Sequence, residues 1–390
     1  MRKNRFKILS FTLILALVFG CLSVSASEMS LAAIDANASL ELDCKSAILM
    51  DAATGTVLYE YNADEALPPA SVTKIMTLLI VMEAIDSGAL KLDDQVSVSA
   101  NAASMGGSQI FLEEGELMSV EDMLKSVIIS SANDAAVALA EHVAGSEEAF
   151  VQKMNARAAE LNMNNTYFEN TNGLDDTVTK HLTSARDIAI MSRELIKHKK
   201  ILEYSSIWMD TIRNGSFGLT NTNRLVRFYN GATGLKTGST AKAKFCVSAT
   251  AKRGNMHLIC VIMGAESRDV RNATATKLLD YGFANFELFT VQPKKLDELR
   301  VLGGTESTCG ISLSEFNCIV PKGSGSKITA ETQIKPDLTA PINIGDEAGE
   351  IVYKNGNEVI GKAKIIATEN VEKIQYYDLL KRIFAKMLII

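Results

Sequence analysis

Histidine is scarce in this chain, and the four present, His142, His181, His198 and His257, do not have the spacing of metal ligands. No glycine-rich phosphate loop interrupts the sequence, so neither a metal nor a nucleotide cofactor is expected. The cysteines do not form a disulfide scaffold. Loss of Cys21 with an N-terminal segment leaves Cys44, Cys246, Cys260, Cys309 and Cys318, an odd number without dense spacing. Cys309 and Cys318 are placed to bridge a hairpin in an oxidising compartment, but small buried hydrophobes are the plainer reading. An excess of positive charge is also missing. The formal charge is −6, which argues against a nucleic-acid partner.

What is present fits an exported globular protein. With 390 residues, 47% of them hydrophobic, the chain can bury a substantial core and has room for two folded domains. Residues 1–26 read as a secretory signal: Arg2, Lys3, Arg5 and Lys7, then an apolar run over 8–20, then small residues at Val24-Ser25-Ala26. That run is too short to span a bilayer comfortably. Its removal takes the formal charge from −6 to −10, because the segment carries those four bases and no acid. A lipoprotein site at Cys21 is the rival reading, and bulky Phe19 fits it poorly.

Residues 46–51 and 57–61 flank Ala52-Ala53-Thr54-Gly55 as a β-hairpin. Helical spacing follows over 71–86, from Ser119 to Ser130-Ser131, and over 134–143, 147–162 and 184–197, with Ser119 as a capping residue. Two β-rich runs, 245–251 and 257–263, surround Lys252-Arg253-Gly254-Asn255, and a helix near 271–281 closes this part. Strands at both ends with helices between predict an α+β domain over 38–290, an antiparallel sheet sandwiched by helices. Residues 291–368 read as a small all-β domain, punctuated by Gly303-Gly304, Gly323-Ser324-Gly325 and Asn355-Gly356-Asn357. Over 369–390 the sequence is amphipathic: Ile374, Tyr377, Leu380, Phe384 and Met387 share one helical face. Lys381, Arg382 and Lys386 argue against a spanning helix and for one lying in the plane of an anionic membrane surface. Packing on the protein itself or on a partner is the alternative.

Ser71 and Lys74 lie three residues apart at a predicted helix start, so the amine can approach the hydroxyl. A serine needs a base to take its proton, and a lysine serves when burial and nearby positive charge lower its pKa. Alone this spacing proves little, since chance supplies it about once or twice in a chain of this length. Two further elements change the odds. Ser131-Ala132-Asn133 sits between two helices, able to project a hydroxyl and an amide into a cleft. Lys236-Thr237-Gly238 precedes the second hairpin, where Lys236 and Thr237 can hold a carboxylate and Gly238 admits a peptide close to the backbone. Asp51, Asp134 and Asp175 read equally well as turn or helix-cap residues.

The ordered set resembles the Ser-x-x-Lys, Ser-x-Asn and Lys-Thr-Gly elements of penicillin-binding proteins and β-lactamases. The runs around Ser71, Asn172-Gly173-Leu174-Asp175 and Thr183-Ser184-Ala185-Arg186-Asp187 are similar to the low-molecular-mass D-alanyl-D-alanine carboxypeptidases, over most of the mature chain. The resemblance implies a transpeptidase-like catalytic domain at the outer face of the cytoplasmic membrane. Its partners would be a peptidoglycan stem peptide ending in D-Ala-D-Ala as substrate and β-lactams as covalent inhibitors. It further implies Ser71 as nucleophile, Lys74 as base, Ser131 as proton relay and Asn133 as orienting amide. The N–H groups of Ser71 and Ser239 would form the oxyanion hole, Lys236 and Thr237 would grip the terminal carboxylate, and Arg186 matches a family arginine near the cleft, with a structural salt bridge as the alternative. The basic run Ala241-Lys242-Ala243-Lys244 departs from a Gly-containing version and bears on substrate preference. Two rivals remain: a β-lactamase using Glu160 and Asn164, and a catalytically silent scaffold.

Overall fold

The computed structural model describes residues 40–387 except Thr177; the expected signal segment lies outside the described residues. A five-stranded antiparallel sheet organises the larger body. Its strands are β1 (Ser46–Asp51), β2 (Val57–Tyr61), β3 (Ala232–Thr240), β4 (Lys244–Arg253) and β5 (Met256–Ala265), in the order β2-β1-β5-β4-β3. Alternation along the strands assigns two buried faces. Ile48, Met50, Ile259, Val261 and Met263 join the main core, while Leu49 and Leu258 abut Gly282 on a long C-terminal helix. Side chains at period two thus serve both layers, as a sheet between helices requires.

Between β2 and β3 stand helices α1 (Lys74–Asp86), α2 (Val120–Ile129), α3 (Asn133–Ala144), α4 (Glu147–Glu160) and α5 (Ala185–Leu195); α6 (Arg268–Asn285) follows β5. Ser119, Ser146, Ser184 and Ser267 each accept the N–H three residues on, fixing four helix starts at about 1 kcal/mol apiece. Helix α1 is apolar all round, and every residue from Lys74 to Met82 is buried. Sequence spacing put its start at Ser71. Instead, Ala70–Thr73 form a 3₁₀ turn entered through Pro69 and a left-handed Ala70, and the α-helix proper begins at Lys74.

A second sheet follows. The strand Phe286–Val291 pairs with Phe316–Pro321, so strand pairing in this part begins ahead of residue 291. A six-stranded sheet carries the rest of the segment around a separate core that includes Ile311, Tyr353 and Ile365. All five described cysteines are unpaired, and four of them, Cys309 and Cys318 included, are buried as small hydrophobes. The chain closes on helix α7 (Tyr376–Met387). No helix among the described residues is long and apolar enough to cross a membrane.

Candidate active site

The 3₁₀ turn Ala70–Thr73, running into the start of α1, brings Lys74 back beneath Ser71. Its Nζ lies 2.9 Å from Ser71 Oγ, 2.6 Å from Asn133 Oδ1 and 2.8 Å from the Asn172 carbonyl oxygen. Lys74 is fully buried, and desolvation, with the Lys236 cation second, holds its amine well below the ordinary lysine range. In its neutral form the amine has two N–H protons, enough for Asn133 and Asn172, and a lone pair that can turn to the Ser71 hydroxyl. The arrangement sets a lysine amine within hydrogen-bond distance of a serine hydroxyl, as nucleophilic catalysis by serine requires.

Across the cleft, the loop between α2 and α3 presents Ser131 in a left-handed conformation, φ 65°. Its hydroxyl accepts a hydrogen bond from Lys236 Nζ at 2.8 Å, and the same ammonium donates to the Thr237 carbonyl at 2.9 Å. Burial, with the Arg271 guanidinium second, pushes Lys236 down to about 7. Arg271 reaches the back of the sheet from α6, donates to the Cys246 carbonyl opposite Gly238, and is itself lowered by burial to about 10. Asp134 is the near carboxylate, and it is engaged by the N–H groups of Ile110, Leu112 and Ala135. The site therefore gathers buried positive charge to which an anionic substrate group is complementary.

Strand β3 forms one edge of the sheet, with no further strand paired to its outer rim among the described residues. Gly238 is the point of closest approach. A Cβ there would lie 2.8 Å from the Ser71 amide nitrogen and 2.8 Å from the Pro69 carbonyl oxygen, so only glycine lets the strand meet the Ser71 turn. The Thr237 hydroxyl donates to Thr222 Oγ1 at 2.8 Å, and Ser239 stands exposed beyond it.

Seven of the residues singled out from sequence converge on the cleft: Ser71, Lys74, Ser131, Asn133, Lys236, Thr237 and Gly238, with Ser239 at its exposed end. Arg186 is not among them; the structure gives it the salt-bridge alternative. Its Nε and one Nη pair with Asp64 at 2.7 Å and Glu60 at 2.6 Å on the surface. Glu160 ends α4 and pairs with Arg157 at 2.9 Å, so it does not offer a β-lactamase-like base to Ser71. Asp51 and Asp175 are structural as well: one accepts the Thr54 N–H in a turn and the other the Thr240 hydroxyl. Sequence reasoning missed three contributors. Asn172 acts through its backbone carbonyl, Arg271 through its field on Lys236, and Thr222 through Thr237. Only Asn172 had a signal, its place in the Asn172-Gly173-Leu174-Asp175 run.

Comparison with known proteins agrees with this geometry. A family model described as D-alanyl-D-alanine carboxypeptidase matches residues 32–267, and one for the C-terminal domain of penicillin-binding protein 5 matches residues 286–373. The D-alanyl-D-alanine carboxypeptidase DacF of Bacillus subtilis is 42% identical over 379 residues, covering 95% of this chain and 97% of that one. Penicillin-binding protein 5 from Haemophilus influenzae superposes with a TM-score of 0.75 at 31% identity, covering 86% of this chain and 99% of the other. Penicillin-binding protein D2 from Listeria monocytogenes, solved with ampicillin bound, matches at a TM-score of 0.58 and 32% identity over 63% of this chain and 99% of its own.

Proposed function

Since the chain belongs to the D-alanyl-D-alanine carboxypeptidase family and is a penicillin-binding serine carboxypeptidase of the cell wall, we propose that Ser71 is its nucleophile and Lys74 the base that activates it. Ser71 Oγ attacks the carbonyl carbon between the two terminal D-alanines of a stem peptide while Lys74 Nζ takes the hydroxyl proton. The N–H groups of Ser71 and Ser239 receive the oxyanion. As the C–N bond breaks, Ser131 relays the proton held by Lys74 to the departing D-alanine amine, and Asn133 keeps Lys74 and the substrate amide in line. Lys236 and Thr237 hold the terminal carboxylate. Water then cleaves the Ser71 ester and restores the hydroxyl.

The observation that carries this reading is the Lys74 amine at 2.9 Å from Ser71 Oγ, with its two other hydrogen-bond positions taken by fixed acceptors. Incubating the purified protein with a peptide ending in D-Ala-D-Ala tests it. Release of D-alanine that disappears in Ser71→Ala is the result expected, and equal release by that variant would refute it.

Export and membrane attachment are supported by the two ends of the chain. The basic, apolar N-terminal segment has the pattern of a secretory signal. In α7, Tyr377, Phe384 and Met387 are 67%, 61% and 68% exposed, an apolar display suited to a lipid surface at the outer face of the cytoplasmic membrane. Sedimentation with anionic vesicles, lost on truncation at residue 375, is the outcome this predicts. Equal sedimentation of both forms would contradict it.

A further inference from the structure

His181 has no part in the scheme above, yet it is buried against the nucleophile turn. Thr73, between Ser71 and Lys74, donates its hydroxyl proton to the Ala70 carbonyl at 2.8 Å, and its Oγ1 lies 2.7 Å from His181 Nε2. Because the threonine proton is committed, Nε2 must carry a hydrogen and donate it. The other ring nitrogen, Nδ1, accepts the Glu169 N–H at 3.0 Å. Both ring positions are thereby assigned, and one neutral tautomer satisfies the whole chain of bonds. Burial outweighs the nearby Glu169 and Asp175 carboxylates and holds the ring down to about 4, so it is neutral where the enzyme works.

The turn needs such support. Ala70 precedes the nucleophile at φ 48°, a left-handed conformation that costs a non-glycine residue about 1–2 kcal/mol and persists only when its surroundings enforce it. Two contacts from residues 169–181 do so. Gly173 lies so close that a Cβ would fall 1.9 Å from the Ala70 carbonyl oxygen, and His181 holds Thr73 from the other end of the segment. That same segment supplies the Asn172 carbonyl to Lys74. The base and the turn that carries the serine are thus fastened to one piece of chain.

We propose that His181 is a positioning residue for acylation: acting through Thr73, it holds the strained Ala70–Ser71 turn so that the serine hydroxyl stays in line with Lys74. This rests on Ser71 as nucleophile. Absence of any Ser71 adduct in the unaltered protein would break that premise, whereas full-rate labelling in the variants would break only the present inference.

The test compares His181→Phe, which removes both bonds, with His181→Gln, which retains a donor able to reach Thr73. Stopped-flow labelling by a fluorescent penicillin separates the acylation rate constant from initial binding. His181→Phe should slow acylation by about 10- to 100-fold, as expected for a lost alignment of 1.4–2.8 kcal/mol, with initial affinity within about twofold. His181→Gln should recover most of that loss. Thr73→Val severs the same link from the other side, so adding His181→Phe to it should cause little further loss. It also supplies the readout if His181→Phe does not fold. Additive losses, equal losses in Phe and Gln, or an unchanged rate constant per folded molecule despite a lower melting midpoint would each reduce His181 to a packing residue and overturn the proposal.

Discussion

Lys74 and Lys236 are fully buried in the catalytic body, whereas among the described residues 286–367 no lysine or arginine is buried. There Lys354 meets Glu331 and Lys362 meets Glu350 at 2.7 Å on the surface of the sheet. The two regions use the same side chain in opposite ways. Burial turns a lysine into a group whose proton is loosely held and chemically useful, at the expense of desolvating it. Exposure leaves an ordinary cation whose ion pair is screened by water and salt. Chemistry in this chain therefore depends on how deeply a charge is placed, and the perturbations below should rank accordingly.

Lys74→Ala deserts Ser71 and should have the largest effect, slowing acylation by about 10²–10⁴-fold in single-turnover labelling. A loss under tenfold would mean that another group serves as base. Gly238→Ala should come next, because the added Cβ falls on the Ser71 amide and the Pro69 carbonyl. A drop on the order of 10- to 100-fold is expected from displacing a preorganised oxyanion donor, and an unchanged rate would contradict the close approach.

A milder test is pH. The proposed mechanism needs Lys74 neutral and Lys236 charged, so kcat/KM should rise as Lys74 loses its proton and fall through about 7 as Lys236 loses its own. Bound substrate carboxylate favours the ammonium form, so the falling limb of kcat should lie at higher pH than that of kcat/KM. In Arg271→Gln the falling limb of kcat/KM should also move upward, since a neighbouring cation has been removed from Lys236. A downward move would show that Arg271 acts otherwise. Smallest of all, Lys354→Ala in the β domain should leave kcat/KM unchanged and shift the melting midpoint by no more than about 2 °C.

The same contrast explains what could be read from the sequence. The hairpin at Ser46–Tyr61, the Ser119 cap, the strand pair around Gly254 and the amphipathic end all announce themselves locally, through periodicity, turn residues and capping. So did Ser71 and Lys74, because three residues along one chain fix their proximity. Arg186 stayed open because a motif position carries no record of its partners, and Glu60 on β2 and Asp64 just beyond it claim it. Arg271 and Thr222 were invisible for a different reason, and the run that holds Asn172 did not reveal its role. Each enters the site through a long-range contact, and Asn172 does so through a backbone carbonyl that any side chain could carry. Depth was equally hidden: nothing in the sequence alone says that Lys236 is buried or that Arg271 stands behind it.

The central claim is that Ser71 forms the covalent intermediate. Intact-mass analysis after brief exposure to penicillin, followed by peptide mapping, tests it most directly. The account predicts one adduct per chain, located on Ser71 and absent from Ser71→Ala. An adduct on Ser131 or any other residue, or a folded protein that takes up no penicillin, would contradict it.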